Sequence, residues 1–404
     1  MKNKPLASIF LIVFIDMLGF GLILPLLPYY AEEFGASDTV VGLLVASYAA
    51  AQLIGAPILG RFSDRFGRRP ILLMSLVGTL LGFLLLGFAN TLWILFAARI
   101  LDGLTGGNIS VAQAYISDVT DAKNRAKGLG MIGAAFGLGF IIGPASGGLL
   151  SQWGYPVPAF VAAGLVTVNL LMVALWLPES LPPEKRENAT NKRPAVNFSA
   201  LMEALKRPFT GPLLITRFFF GLAFAIFQTI FALYALRRFN LNAQQTGFIL
   251  TYVGVLAAIV QGGLVGRLNQ RYRDDILITV SVAIMALSLL GWALAPSVTV
   301  LLIILAPTSF AGGILNTVLS SALTKAVEAQ EIGGILGLSA SIESATRVIA
   351  PTLGGVLLDR LGTWSPGTFG AILLAGLFFY VWNKIFNHPI PENNNNSIPV
   401  EVRH

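Results

Sequence analysis

The sequence predicts an all-α integral membrane protein with twelve transmembrane helices in two pseudo-symmetric six-helix bundles. Three observations predict it. Hydrophobic residues make up 55% of the 404-residue chain and charged residues only 12%, against about 25% charged in a soluble domain. Apolar runs of roughly twenty residues, each long enough to cross a bilayer as a helix, recur along nearly the whole chain. Lysine and arginine alternate between the loops: with both termini inside, 21 fall in inside segments and three in outside ones.

The apolar runs place helices near 6–30, 39–60, 70–89, 92–116, 125–150 and 157–178, then near 210–236, 244–266, 275–295, 298–323, 331–357 and 365–386. The first run is too long for a signal-peptide core and has no small-residue cleavage site, so it is read as a retained helix. Residues 1–178 are expected to form the N-terminal bundle and 209–386 the C-terminal bundle. Residues 179–208, charged and proline-containing, read as a cytoplasmic linker, and 387–404, with a run of asparagines, as a disordered cytoplasmic tail.

The halves repeat weakly. Gly143-Pro144-Ala145-Ser146-Gly147-Gly148 aligns with Ala350-Pro351-Thr352-Leu353-Gly354-Gly355, and Gly60-Arg61-Phe62 with Gly266-Arg267-Leu268. Such duplication suits a rocking transporter better than a channel. The net charge of +7 is accounted for by loops that fix topology, not by a nucleic-acid face. With no Cys and two His, neither a metal site nor a cofactor is expected. No phosphate loop or nucleophile–base pair is visible, which argues against an ATP-driven pump and against an enzyme.

The densest motif is the turn Gly60-Arg61-Phe62-Ser63-Asp64-Arg65-Phe66-Gly67-Arg68-Arg69-Pro70. Its pattern resembles the loop between helices 2 and 3 in the major facilitator superfamily of transporters. The resemblance implies a conformational latch: Asp64 would approach a helix N-terminus of the other half, where the dipole favours a carboxylate. Arg68 would pair with Asp118, and both contacts are expected only when the cytoplasmic side is closed. Gly60, Arg65, Gly67 and Arg69 complete the motif. On helix 5, Gly139-x-x-x-Gly143-Pro144-x-x-Gly147-Gly148 is similar to the antiporter motif of the proton-coupled drug-export branch. Asp16 to Pro28, Arg99 to Gly107 and Ala114 to Asp118 are similar to tetracycline/proton antiporters, closely over about residues 10–150. Asp102 departs from the small apolar residue expected there.

The resemblance implies proton-coupled efflux of a small amphipathic drug or metabolite by alternating access from a bacterial inner membrane, with substrate and protons as partners and a monomer as the unit. A nutrient importer or facilitator of the same fold is the alternative. Charges inside apolar helices cost about 2.5–3.5 kcal/mol each if unpaired and so mark function or pairing. They are Asp16, Arg99, Asp102, Arg217, Glu343 and Arg347. Spacing makes Arg99–Asp102 and Glu343–Arg347 same-face pairs that are expected to meet at the midplane. Asp16, with no cation near in sequence, is expected to carry the coupled proton or to hold the substrate's positive charge. One polar stripe runs through Arg99, Gly103, Gly106, Ser110 and Gln113, another through Arg217, Gly221, Phe224 and Gln228. Both are expected to face the cavity, with Gln52, Gln261 and Asn316 adding hydrogen-bonding groups. Phe220, Phe227 and Phe231 read either as pocket lining or as lipid-facing.

Overall fold

The computed structural model describes residues 4–182, 198–328 and 330–388, and every predicted span in them is helical. The first span is two pieces, α1 (Lys4–Ile23) and α2 (Leu27–Glu33), bent by 42°. Pro25 and Pro28 account for the break, since neither supplies an amide hydrogen to the helical ladder. Then follow α3 (Asp38–Phe66), α4 (Arg68–Gly87), α5 (Leu92–Thr105), α6 (Asn108–Val119), α7 (Ala122–Leu150) and α8 (Pro156–Trp176). A short helix α9 (Phe198–Lys206) precedes α10 (Thr210–Phe239). Next come α11 (Ala243–Ile259), a π-helical turn at Val260–Leu264, and α12 (Val265–Arg271), which together make one span. The chain closes with α13 (Asp274–Leu294), α14 (Val298–Lys325), α15 (Ile332–Leu361) and α16 (Ser365–Val381). The middle of the expected linker and nearly all of the expected tail lie outside the described residues.

Among the described residues, nine helices are long and apolar enough to cross a membrane, ten if the bent α1–α2 pair is one span. The two predicted spans outside this set are α5–α6, broken at Gly106 and Gly107, and α15. These two carry four of the six intramembrane charges, Arg99, Asp102, Glu343 and Arg347; Asp16 and Arg217 lie on helices within the set.

Local sequence explains the helix ends. Ser37 and Ser297 cap α3 and α14 through their hydroxyl oxygens, and Asn242 with Gln245 forms a reciprocal capping box on α11. Gly67 separates α3 from α4 at φ 104°, a conformation that a Cβ would oppose, so the turn of the basic motif needs glycine there.

Two large apolar cores form, one from residues between Ile9 and Leu177 together with Ile230, Leu233 and Leu358 of the second half, the other from residues between Ala204 and Ile385. Trp93, Trp153 and Trp364 are exposed near one set of helix ends, and Trp176 and Trp382 near the opposite set, where a bilayer has its two interfaces. The ends carrying the 60–70 turn are called the basic end below, and those carrying Glu32 to Asp38 the far end.

Phe220, Phe227 and Phe231 are not on a lipid-facing surface. All three are buried in the second core, and Phe227 stands edge-on to Trp292 at 5.2 Å between ring centroids.

Candidate functional site

Contacts between the halves cluster toward the far end. The start of α3 lies against the end of α15 so closely that a Cβ on Gly42 would strike the Pro351 carbonyl, and one on Gly355 would reach the Asp38 carbonyl oxygen at 2.5 Å. Thr39 donates to Asp359 at 2.7 Å. Arg237, at the end of α10, pairs with Asp38 at 2.9 Å and Glu32 at 2.5 Å. The Tyr29 hydroxyl lies 2.6 Å from that of Thr246.

At the basic end the helices part. A Cβ added to Gly130, Gly133 or Gly137 on α7, to Gly262, Gly263 or Gly266 beside α11–α12, or to Gly333, Gly334 or Gly337 on α15 would meet open space. The cleft between the halves is therefore open at one end and shut at the other.

The glycine–proline motif of α7 sits at the closed end and serves two contacts. Gly139, Gly143 and Gly147 face α1: a Cβ on Gly143 would lie 2.7 Å from Gly21 Cα. Pro144 and Gly148 face α11, where a Cβ on Gly148 would lie 2.8 Å from Gln244 Cα. Small residues thus allow both a crossing within one half and one between halves.

The buried charges form two clusters. In the first half Arg99 donates to Asp102 at 2.8 Å, and its guanidinium lies over the Tyr48 ring at 4.5 Å. Asp16 accepts from Asn108 at 2.8 Å, and both line a small pocket with Tyr48, Gln52, Thr79 and Asp102. In the second half Glu343 is held from both sides, by Arg217 at 2.7 Å and Arg347 at 2.6 Å. Arg217 also donates to the Asn316 side chain at 2.6 Å.

Several expectations need correction. The Glu343–Arg347 pair is a triad, with Arg217 arriving from α10. Among the described residues no ion pair joins the Arg99–Asp102 pair to that triad. The first polar stripe is not continuous, because Gly106 and Gly107 break the helix. Gln113 and Gln228 are exposed, and no hydrogen bond ties either to the charged clusters among the described residues. Gln52 instead reaches the Gly106 carbonyl at 3.0 Å, bracing the break.

The latch residues also differ from expectation. Arg68 contacts Asp118 at 2.9 Å and Asp64 at 2.5 Å with the basic end open. Arg68, Asp64 and Asp118 all belong to the first half, so their pairing does not require the halves to meet. Arg65 is exposed, and Arg69 donates to the Ala174 carbonyl.

Sequence reading missed Glu179. Its carboxylate accepts from the Arg68 amide at 2.8 Å and the Arg69 amide at 3.2 Å, capping α4 from the end of the sixth span. Asn108, Tyr48, Tyr29, Asp38 and Arg237 were missed too. Asn and Tyr carry no charge to flag them, and Asp38 and Arg237 lie at helix ends where charges are ordinary.

The chain matches the Major Facilitator Superfamily over residues 9–351 and 213–400. It is 35% identical to the class B tetracycline resistance protein of Escherichia coli, over 91% of this chain and 91% of that one. It is 36% identical to the class H tetracycline resistance protein of Pasteurella multocida, over 93% of this chain and 95% of that one. Its fold matches a bacterial homolog of the human lysosomal transporter Spinster, solved inward-facing and occupied, with TM-score 0.79 and 15% identity over 95% of this chain and 97% of that one. An all-helical fold with up to ten candidate spans among the described residues, a cleft shut at one end and two clusters of charge buried within it suit a secondary transporter. The chain belongs to the major facilitator superfamily, a family of transporters and not of enzymes, and it is related to the tetracycline and drug efflux proteins.

Proposed function

We propose that the chain exports a small amphipathic, tetracycline-like compound in exchange for protons, by alternating access. The carrying observation is the asymmetry of the cleft, sealed by Arg237, Asp38 and Tyr29 at one end and lined by unpartnered glycines at the other. With the basic end in the cytoplasm, as the excess of Lys and Arg there favours, this is the inward-open state. Both termini are then cytoplasmic.

Closing the basic end would reverse the rocking. The pairing of Gly42 with Pro351 and of Asp38 with Gly355 sets an antiparallel register between α3 and α15. Continued toward the basic end, that register brings Asp64 just beyond the N-terminal end of α15, where free amides and the helix dipole favour a carboxylate. Asp64 would then trade part of its contact with Arg68 for a contact across the halves.

Asp16 is the coupling group in this reading. It is the only carboxyl of the charged clusters without an arginine partner in hydrogen-bond reach, so its proton can be exchanged without breaking an ion pair. The resistance-protein relatives support the drug-like substrate, and 35% identity supports the class of compound more than any one compound.

The test is efflux of tetracycline from loaded cells expressing the protein, with and without a proton ionophore. Efflux that collapses with ionophore, and Asp16→Asn protein that equilibrates substrate but does not concentrate it, are the expected results. Undiminished uphill transport by Asp16→Asn would remove Asp16 from the coupling role.

A further inference from the structure

We propose that the central site selects amphipathic organic anions, with Arg347 as the residue that receives the negative group. This rests on the transporter reading above and names the substrate class for that site.

The charge of the second-half cluster is unbalanced. Arg217 and Arg347 share one carboxylate, Glu343, leaving one positive charge in excess. Both Glu343 oxygens are occupied, Oε2 by Arg217 and Oε1 by Arg347. Across the cleft Asp102 is taken by Arg99, and Asp16 is engaged by Asn108. A cationic ligand thus finds only Asp16 without an arginine, and that carboxyl is held by Asn108 and serves the proton in the reading above. An anionic ligand finds Arg347, whose side chain is 60% exposed while that of Arg217 is 8% exposed.

Arg347 is also correctly placed. It lies one helical turn before Pro351 on α15, on the face that meets α3 at the closed end, so it stands at the apex of the cleft. The register that sets Gly42 against Pro351 places Arg347 opposite Ala46, two residues from Tyr48 on α3 of the first half. From Tyr48 a run of half-buried rings crosses the first half. Phe20 lies 5.4 Å from Tyr48, Phe140 lies 6.0 Å from Phe20, and Phe136 lies 6.5 Å from Phe140. A planar apolar body can lie on these rings while its carboxylate, or an ionised enol, reaches the planar guanidinium. A ligand bridging Arg347 to these rings touches both halves and can bias their rocking.

The test uses two xanthene dyes of similar shape and opposite charge, fluorescein and rhodamine 123, titrated by fluorescence anisotropy against purified full-length protein. Wild-type protein is expected to bind fluorescein at least about tenfold more tightly than rhodamine 123. Arg347→Gln should weaken fluorescein roughly tenfold, whereas Arg347→Lys, which keeps the charge, should weaken it less. Glu343→Gln should tighten fluorescein binding, because it removes the competing carboxylate. A merely structural triad would instead make both the Arg347→Gln and Glu343→Gln variants bind more weakly, and that result overturns the proposal. So does fluorescein binding no tighter than rhodamine 123, including failure of both dyes to bind. The readout is separate from transport: fluorescein preference with ionophore-insensitive efflux keeps the anion site and removes proton antiport. Ionophore-sensitive efflux without that preference removes the anion site alone.

Discussion

Arg237 and Asp38 join the two halves at the far end: Nη2 of the arginine lies 2.9 Å and Nε 3.1 Å from the same Asp38 oxygen. Asp38 is buried, and Glu32 shares the guanidinium. Arg237→Gln leaves a buried carboxylate with its main partner gone. The arginine is 37% exposed, so the loss is about 1–2 kcal/mol, well short of that for a fully buried pair. The outcome expected is a shift of population toward a form open at the far end, read as a longer distance between spin labels on α2 and the end of α10. An unchanged distance distribution would show that this pair does not hold the closure.

The Arg68–Asp118 pair is a bond within the first half that positions the 60–70 turn. Arg68→Asp sets a third carboxylate beside Asp64 and Asp118 and is expected to lose most transport. The double exchange Arg68→Asp with Asp118→Arg should recover part of it. A double variant no better than the worse single one counts against direct pairing, since coupled sites must show a non-additive cycle.

Arg99 and Asp102 are both nearly inaccessible, with side chains 3% and 6% exposed. Arg99→Ala strands Asp102 in the interior, at a cost of about 3–5 kcal/mol. Removing both charges, as Arg99→Ala with Asp102→Ala, should restore much of the thermal stability. A double variant as unstable as Arg99→Ala alone would place the damage elsewhere, in the lost contact with Tyr48.

Gly143 and Gly137 lie on the same helix and should respond oppositely. A methyl on Gly143 would meet Gly21 Cα at 2.7 Å, and backbone cannot swing away. Gly143→Ala is expected to cost about 1–3 kcal/mol through overpacking. Gly137→Ala should leave the melting temperature of this form unchanged or raised. Equal effects at the two positions would mean that the crossing of α1 and α7 relaxes easily.

Hydropathy makes the helical spans legible, because a bilayer imposes length and polarity on every helix. Both same-face pairs, Arg99–Asp102 and Glu343–Arg347, follow from helical spacing. Arg217 could not be assigned to Glu343 in the same way, because the two lie on different helices and only packing brings them together. The break at Gly106–Gly107 escaped because glycine inside an apolar helix reads equally as a close crossing. Glu179 escaped because its partners are backbone amides, which have no sequence signature. The pairing of Arg68 with Asp118 was legible, but its independence of closure was not, since a pattern of residues carries no information on state.

The glycines that face open space at the basic end separate two properties that usually move together. Gly→Ala in a helix generally raises stability by narrowing the unfolded ensemble, and here nothing in this form opposes it. The return stroke must bring those same faces against each other, where each added methyl acts as a doorstop. Thermostabilised variants recovered from these positions should therefore be slow transporters, caught on one side of the membrane. A screen that scores heat resistance alone would select molecules that no longer cycle.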